Sequence, residues 1–411
     1  MSTDKYDIAI VGGGLVGASL ACALASLEYS VALLEAVTPQ ASDQPSYDDR
    51  TLALNHASCQ ILRGLELWPW MKERATPIRE IHVCELGRPG QVTLIAKDHG
   101  LDAFGNVVEA RVFGAAVMRR LPELERVTFL CPARVTGLKQ LDGSVILDYG
   151  SSDTEARLEA RLVVAADGAR STVRELAGID AEIHDYGQTA VIANVTAEMH
   201  HQNRAFERFT ETGPLAILPH TGRRCGVVWC VPRGDEQALV ADDDSRFLQG
   251  LQERFGNRLG RFDKAGVRSS YPLYLVHSKT RLAGRVLIMG NAAHTIHPNS
   301  AQGFNLGLRD AAVLAETLAD SGNRDPGELS LLQQYDAWRQ PDEEATIRYS
   351  DGLARIFSNP SFSMGAARFL GMALHQIIPP LRRRLAMGAM GYRGRIPRLA
   401  RGERLVDKNG C

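Results

Sequence analysis

The chain has few cysteines, and their spacing suits neither a metal site nor a disulfide framework. The seven cysteines are odd in number and scattered, and no two of them form a C-x-x-C pair. Zinc and iron–sulfur sites usually rely on such closely spaced thiolates. We therefore expect no bound metal, and free thiols in a reducing cytosol.

Net charge and aromatic content are also low. The formal net charge is −1, and aromatic residues make up 6% of the chain. Proteins that bind nucleic acid usually present a basic surface to the phosphates, and aromatic side chains stack on single-stranded bases. The composition therefore predicts no nucleic acid partner.

Long hydrophobic runs are absent as well. The most apolar stretch, residues 362–378, is interrupted by Arg368 and His375, so it falls short of the ~18 apolar residues of a membrane-spanning helix. Asp4 and Asp7 stand where a secretory signal would be basic. We expect a cytoplasmic protein that does not cross the membrane.

The composition is that of a folded protein with more than one core. Of the 411 residues, 45% are hydrophobic and 23% are charged. A single hydrophobic core rarely grows beyond ~250 to 300 residues, so two domains are predicted.

The N-terminus carries a dinucleotide-binding pattern. An apolar run, residues 6–11, precedes Gly12, Gly14 and Gly17 and an alanine-rich segment that favours a helix. In this G-x-G-x-x-G fingerprint the glycines permit a tight turn, a close approach to a diphosphate, and close packing of the helix on the strand. Glu35 ends a second apolar run eighteen residues after Gly17, near the ~20 expected of an acid that binds a ribose hydroxyl. The unit predicts a bound dinucleotide and leaves open whether it is FAD or NAD.

Two later segments resemble the group A flavoprotein monooxygenases, the p-hydroxybenzoate hydroxylase superfamily. Residues 162–174, L-V-V-A-A-D-G-A-R-S-T-V-R, resemble the family's D-G motif at Asp167 and Gly168. Residues 285–310, which include G-N-A-A-H and P-N-S-A-Q-G-F-N, resemble the second flavin motif. The resemblance covers nearly the whole chain and implies FAD as the cofactor.

The second motif departs from the family pattern at two positions. Asn291 stands where the family usually has aspartate, and Ala301 stands where it has glycine. Neither change removes a group that the chemistry requires, because asparagine still bonds hydroxyls. The resemblance assigns flavin contacts of this segment to Gly290, Asn291, Gln302, Gly303 and Asn305.

Within the superfamily the chain is similar to the ubiquinone-biosynthesis hydroxylases that act on a polyprenyl methoxyphenol. Asn291 is shared with them, as are residues 204–210, R-A-F-E-R-F-T, and 213–219, G-P-L-A-I-L-P. Residues 49–54, D-R-T-L-A-L, match a flavin-contacting segment, which implies that Arg50 contacts the flavin or a phosphate. An ordinary surface salt bridge of Arg50 is the alternative.

The resemblance implies an α/β fold, α+β overall, with a Rossmann-type FAD-binding domain, an interleaved β-sheet substrate domain and a C-terminal helical region. The predicted boundaries are 1–75, 100–180 and 280–340 for the FAD-binding domain, 76–99 and 181–279 for the substrate domain, and 341–411 for the helical region with its basic tail.

The implied activity is hydroxylation of a phenol ring by reduced FAD and O2, through a C4a-hydroperoxyflavin. The expected substrate is a prenylphenol, and other quinone-biosynthesis proteins are expected partners. The chain shows no second Rossmann unit for NAD(P)H, so either NAD(P)H visits the flavin transiently or a partner reductase replaces it. Two alternatives stay open: another aromatic ring hydroxylase, including a sister enzyme of the pathway, and a flavin-binding scaffold subunit without its own turnover.

The sequence does not identify a general base. The titratable or charged candidates are His294, His297, Glu207 and Arg208. Each has an alternative interpretation: structural hydrogen bonding for the two histidines, and an exposed pair in a strand for Glu207 and Arg208.

The C-terminal residues 363–411 hold ten basic and two acidic residues. Apolar residues recur on one helical face, interrupted by Pro379 and Pro380; they are Leu370, Leu374, Ile377, Ile378 and Leu381. A basic amphipathic segment of this kind binds anionic lipid at a membrane surface, whereas a helix packed on the flavin domain with a frayed, solvated end is the alternative. Both interpretations stay open.

Overall fold

The computed structural model describes residues 3–38, 50–151, 154–322, 324–358 and 361–406. Asp49, Asp407, Lys408 and Cys411 lie outside the described residues. The strands are β1 (Asp4–Val11), β2 (Val31–Leu34), β3 (Thr51–Asn55), β4 (Thr76–Ile78), β5 (Glu80–Glu85), β6 (Gln91–Ile95), β7 (Gly105–Glu109), β8 (Val127–Leu130), β9 (Arg134–Gln140), β10 (Val145–Ser151), β11 (Thr154–Ala165), β12 (Ala181–Ala197), β13 (Arg204–Thr210), β14 (Gly213–Pro219), β15 (Arg224–Pro232), β16 (Phe262–Ala265), β17 (Ser269–Ser278), β18 (Leu282–Ala283), β19 (Val286–Ile288) and β20 (His294–Thr295). The helices are α1 (Leu15–Leu24), α2 (His56–Gly64), α3 (Ala110–Arg120), α4 (Thr172–Leu176), α5 (Glu236–Ala241), α6 (Asp244–Phe255), α7 (Gly303–Asp320), α8 (Leu329–Ser358), α9 (Phe362–Ile377), α10 (Pro379–Met390) and α11 (Arg398–Arg401).

The first sheet confirms the predicted α/β fold. Its strand order is β18-β19-β11-β1-β2-β8, and β1 pairs in parallel with both β2 and β11. The apolar run predicted as the first strand forms β1, and its last four residues are buried. Ile8 and Ile10 pack on the helices of one face, and Ala9 and Val11 pack on β9, β10 and α4 on the other. Helix α1 makes the crossover from β1 to β2, so the glycine turn lies at the carboxyl end of β1.

The second sheet has the order β20-β17-β12-β15-β14-β13-β5-β6. Most of its pairs are antiparallel, so side chains alternate between two faces. Trp229, Phe206 and Leu215 lie on one face and pack in a core with Phe247 and Phe255 of α6. The opposite face is turned toward the first sheet.

The strands of the two large sheets alternate along the chain. Strands β5 and β6 of the second sheet come between β2 and β8 of the first, and β12 to β17 come between β11 and β18. The predicted domain boundaries stay a prediction. Helix α8 continues through Pro341, the residue at which we placed the start of the C-terminal region.

The C-terminal helices lie on both parts of the molecule. Met372 of α9 is buried with Leu94 of β6, and Gln376 accepts a hydrogen bond from the Thr93 amide at 2.9 Å. Packing on the flavin domain, one of the two interpretations of this region, holds for α11, because Leu399 is buried beside α2. Within the described part of the chain, no helix combines the length and the apolar character needed to cross a membrane.

Candidate active site

A cavity of about 1570 Å³ lies between the carboxyl ends of the first sheet, the open face of the second sheet, and helices α8 to α10. It brings together most of the residues predicted to form the site. Those that line it are Gly12, Gly14, Glu35, Arg50, Asp167, Gly168, Glu207, Asn291, Gln302, Gly303 and Asn305. Those outside its lining are Gly17, Arg208, Gly290, His294 and His297.

The glycine turn has no room for side chains. Gly12 adopts φ of +104°, and a Cβ atom on it would lie 2.5 Å from the Ala166 carbonyl oxygen. A Cβ on Gly17 would lie 2.0 Å from the Gly12 carbonyl oxygen, so this glycine permits α1 to pack against the turn. Gly14 precedes α1 and offers no side-chain cap, which leaves the first amides of the helix for a ligand. This cradle fits a diphosphate.

Two carboxylates reach the same end of the cavity. Glu35 follows β2, is 9% exposed, and accepts a hydrogen bond from the Val37 amide at 2.9 Å. Asp167 follows β11; its Oδ2 accepts from the Val173 amide at 3.2 Å, whereas its buried Oδ1 has no hydrogen-bond partner among the described residues. Burial raises the pKa of Asp167, although hydrogen bonds, first that from Ser171, oppose the rise. An unpaired buried carboxylate oxygen facing a cavity fits a ligand rich in hydroxyl groups such as FAD.

The second flavin motif contacts β3, which belongs to a third, three-stranded sheet of order β3-β7-β4. The Asn305 side chain donates to the carbonyl oxygens of Ala53 at 2.9 Å and Ala301 at 2.6 Å, and its Oδ1 accepts from the Asn55 amide at 2.9 Å. Its amide group is therefore engaged with the protein itself. Ala301 adopts φ of +49°, the left-handed conformation that glycine favours, which explains the family's preference at this position.

Arg50 lies further along the cavity. Its guanidinium stands over the ring of Tyr271, 5.2 Å from the centroid, and both residues line the cavity. Tyr271 belongs to β17 of the second sheet, so this contact bridges the two halves of the cavity.

His294 belongs to a buried ionic network behind the flavin motif. Asp310 of α7 accepts from the Gly290 amide at 3.0 Å and lies 2.7 Å from His294 Nε2, and its other oxygen accepts from Arg339 of α8 at 2.7 Å. Burial alone would lower the pKa of His294, but the Asp310 carboxylate outweighs it and holds the pKa above its usual value. Despite burial, Arg339 and His294 hold the pKa of Asp310 well below its usual range. The network holds the Gly290 loop in place through Asp310. Within it, His294 makes a structural hydrogen bond, as in the second of its two interpretations.

His297 is also engaged with the protein. Its Nε2 lies 3.0 Å from Gln188 Oε1, and its Nδ1 accepts from the Asn299 amide at 3.2 Å. Burial lowers the pKa of His297 to about 4, so the ring is neutral near pH 7. Neither histidine lines the cavity.

Glu207 and Arg208 are not an exposed pair, so that interpretation is wrong. They are neighbours on β13 and therefore point to opposite faces. Arg208 donates to the Phe255 carbonyl oxygen on the α6 side. Glu207 faces the cavity, and burial raises its pKa to about 8.

Sequence reasoning missed the residues of α8 to α10 that close the cavity, and the partners of Asp310. Tyr349, Met372 and Arg393 line the cavity, and the Arg393 guanidinium stands 4.7 Å from the centroid of the Tyr349 ring. The signal available for the network was a cluster of charges at helical spacing in α8, Arg339 with Asp342. Nothing in the local pattern connects these residues to the flavin motifs some thirty residues earlier.

The comparisons with known proteins bear on the cofactor and the reaction. Residues 5–350 match the model of the FAD binding domain family. The chain belongs to the FAD-dependent aromatic monooxygenases. This confirms the resemblance read from the motifs, and it confirms FAD as the cofactor.

Similar members of this monooxygenase family include a ubiquinone hydroxylase of Rhodospirillum rubrum, 40% identical over 409 residues that cover 98% of this chain and 94% of the relative. The 3-demethoxyubiquinol 3-hydroxylase of Escherichia coli is 29% identical over 95% of this chain and 100% of its own length. Among solved structures, the p-nitrophenol 4-monooxygenase of Pseudomonas putida shares the fold with a TM-score of 0.79 at 19% identity, over 96% of this chain and 100% of that one.

Proposed function

We propose that this monooxygenase hydroxylates the ring of a prenylated methoxyphenol in ubiquinone biosynthesis. The observation that supports it is the continuity of the cavity, which runs from the glycine turn to an apolar chamber between the second sheet and α9. A phenol with a long apolar tail matches such a shape. The names of the Rhodospirillum rubrum and Escherichia coli relatives support the same substrate class.

The chain's own residues hold and orient the reactants. The amides that follow Gly12 and Gly14 would bind the diphosphate of FAD, and Glu35 and Asp167 would accept hydrogen bonds from its hydroxyl groups. When bound, FAD reduced by NAD(P)H or a partner reductase would supply the chemistry that transfers one oxygen atom of O2 to the ring and releases the other as water. The enclosing apolar walls exclude bulk water and hold the ring in position.

The chamber beyond the flavin end is apolar. Its lining includes Val83, Val92, Leu94, Phe104, Met372 and Leu385. Burying an isoprenoid tail against such side chains stabilises the complex by roughly 25 cal/mol for each Å² of apolar surface. From this chamber we expect a preference for prenylated over simple phenols.

We extend the proposal to peripheral membrane contact. Leu370, Leu374 and Ile377 on α9 are exposed, Ile377 by 75%, and the exposed Arg383 and Arg384 follow on α10. An exposed apolar face beside arginines fits the interface of an anionic bilayer. Gly371 and His375 on the same helix line the cavity, so the surface lies beside the chamber that would take the tail.

Flotation with vesicles of phosphatidylglycerol and phosphatidylcholine tests the membrane contact. We expect the wild type to float, and the combined Ile377→Ser and Arg383→Ala, Arg384→Ala variant to stay in the lower fractions. A matched variant, Arg348→Ala with Arg355→Ala, removes two exposed arginines of α8 and should float normally. Equal flotation of all three proteins, or none by the wild type, would contradict the contact.

Mass analysis of the product tests the hydroxylation. The purified protein is supplied with FAD, NADPH, O2 and a short-chain 2-prenyl-6-methoxyphenol, and with phenol itself as the control lacking a tail. We expect a product heavier by one oxygen atom with the prenylphenol and little with phenol. Flavin bands with only H2O2 formed would contradict the substrate.

A further inference from the structure

We propose that Glu207 is a catalytic residue that accepts the proton from the hydroxyl group of the bound phenol. The inference rests on the proposed function and deepens it by assigning the general base that the sequence leaves unidentified.

Glu207 is the charged member of an otherwise apolar row across the second sheet. The pairing registers place one residue from each of six adjacent strands in line, and all six line the cavity. In strand order, the row is Val92, Val83, Glu207, Ala216, Val228 and Ile192. The neighbouring row, which includes Phe206, faces the α6 core instead. The carboxylate therefore faces the cavity, in which we place the phenol with its ring toward the flavin end and its tail in the apolar chamber.

The carboxylate has no partner that would explain it as a structural residue. Its Oε1 is buried and makes no hydrogen bond within the described residues. An unpaired buried polar group is destabilising, and an unpaired buried charge is more so. Arg368, by comparison, is buried and pairs with Glu85 at 2.7 Å. Glu207 is available to a ligand.

Two titratable groups on other elements interact with Glu207. Burial raises the pKa of Tyr349 of α8. Arg393 lowers this pKa, and Glu207 raises it further. Cys230 of β15 has its pKa raised by burial and then by Glu207. Both groups stay neutral near pH 7, so neither competes as the base. Arg393, over the Tyr349 ring, and Arg368 of α9 are cations that line the same cavity.

The proposed step is a proton transfer from the phenol to Glu207. The phenol O–H bond breaks, its electron pair stays on the phenolic oxygen, and the proton moves to a Glu207 carboxylate oxygen. The phenolate then directs electron density to the ring carbons ortho and para to it, which makes them better nucleophiles. Because burial raises the pKa of Glu207 to about 8, its ionised form is a stronger base toward a phenol of pKa ~10 than an ordinary glutamate. Only that ionised form, about a tenth of the molecules at pH 7, accepts the proton.

The test compares the wild type with Glu207→Gln and Glu207→Asp as holoenzymes acting on 2-prenyl-6-methoxyphenol. A general base contributes about 10²- to 10⁴-fold, so we expect Glu207→Gln to lower kcat at pH 7 by at least 100-fold with little change in KM. Its remaining activity should rise tenfold per pH unit as the phenol ionises in solution. Glu207→Asp should retain intermediate activity. Glu211→Gln, an exposed position on the following turn, is the matched control and should match the wild type.

A binding measurement separates this inference from the proposed function. The visible absorption band of 4-nitrophenolate, taken as a difference spectrum against the holoenzyme without reductant, reports the ionisation of bound 4-nitrophenol without turnover. We expect the apparent pKa of bound 4-nitrophenol to differ between the wild type and Glu207→Gln. If the wild type hydroxylates no prenylphenol while this difference is found, the substrate is wrong and the base stands. If Glu207→Gln keeps the wild-type pH profile and the same ligand pKa, Glu207 is not the base. Should Glu207→Gln lose FAD, Glu207→Asp decides: a wild-type kcat there overturns the proposal.

Discussion

At the scale of single residues, two helical glycines differ only in their surroundings. A Cβ on Gly17 would lie 2.0 Å from a backbone oxygen, whereas a Cβ on Gly352 in α8 would meet nothing within 4 Å. Alanine favours a helix over glycine by about 1 kcal/mol. We expect Gly352→Ala to stabilise the protein by up to that amount, and Gly17→Ala to destabilise it by several kcal/mol and release FAD. Urea unfolding and flavin fluorescence measure both; normal FAD binding by Gly17→Ala would contradict the packing argument.

The buried carboxylate of Glu207 also makes stability depend on pH. Its pKa rises from 4.5 to about 8 on folding, so between these values the folded state binds more protons than the unfolded state and stability falls as pH rises. Glu207→Gln removes this penalty. We expect the variant to be more stable than the wild type by on the order of 5 kcal/mol at pH 9, and to show no such gain near pH 4.

Unfolding in urea at the two pH values measures that difference. The exposed Glu211→Gln should unfold like the wild type at both. If Glu207→Gln raised the free energy of unfolding equally at pH 4 and pH 9, the ionisation of Glu207 would not be the cause of the stabilisation.

At the scale of elements, α7 and α8 are held together by buried charges. Asp310 joins Arg339, His294 and the Gly290 amide, and Asp342 bridges Arg309 and Arg339. Removing one member of a buried ionic network leaves uncompensated charge and usually destabilises by about 3–5 kcal/mol. We expect this loss for Asp310→Asn, together with weaker FAD binding because the Gly290 loop is released.

Thermal unfolding and FAD titration check that expectation. The control is Arg348→Ala, which breaks an exposed pair with Glu344 and should change stability by less than about 0.5 kcal/mol. If Asp310→Asn unfolded like the control and kept its FAD affinity, the network would be incidental to the flavin loop.

At the scale of the whole molecule, the cavity is shared by both large sheets and the C-terminal helices. A ligand that binds only the folded state stabilises it by RT ln(1 + [L]/Kd), about 2.7 kcal/mol at 100 times Kd. We expect saturating FAD to raise the Tm of the whole chain by several degrees in a single transition, as scanning calorimetry would show. A rise confined to one of two separate transitions would mean that the sheets unfold independently of each other.

The sequence by itself determined the flavin-binding half of this protein. The glycine fingerprint, the following helix and Glu35 form one contiguous strand-turn-helix-strand unit, and such local units leave their pattern in neighbouring residues. The D-G and second flavin motifs are equally local, and they line the same cavity as predicted for Asp167, Gly168, Asn291 and Gly303.

Only the tertiary structure decided the roles of the remaining candidates. The face to which Glu207 points depends on the register of β13 with β14 and β5, and a shift of one residue would have exchanged it with Arg208. His294 lies beside the cofactor motif, yet Asp310 and the distant Arg339 engage it. Pairing across strands and helices brings together residues far apart in the chain, and no local pattern records which partners they will meet.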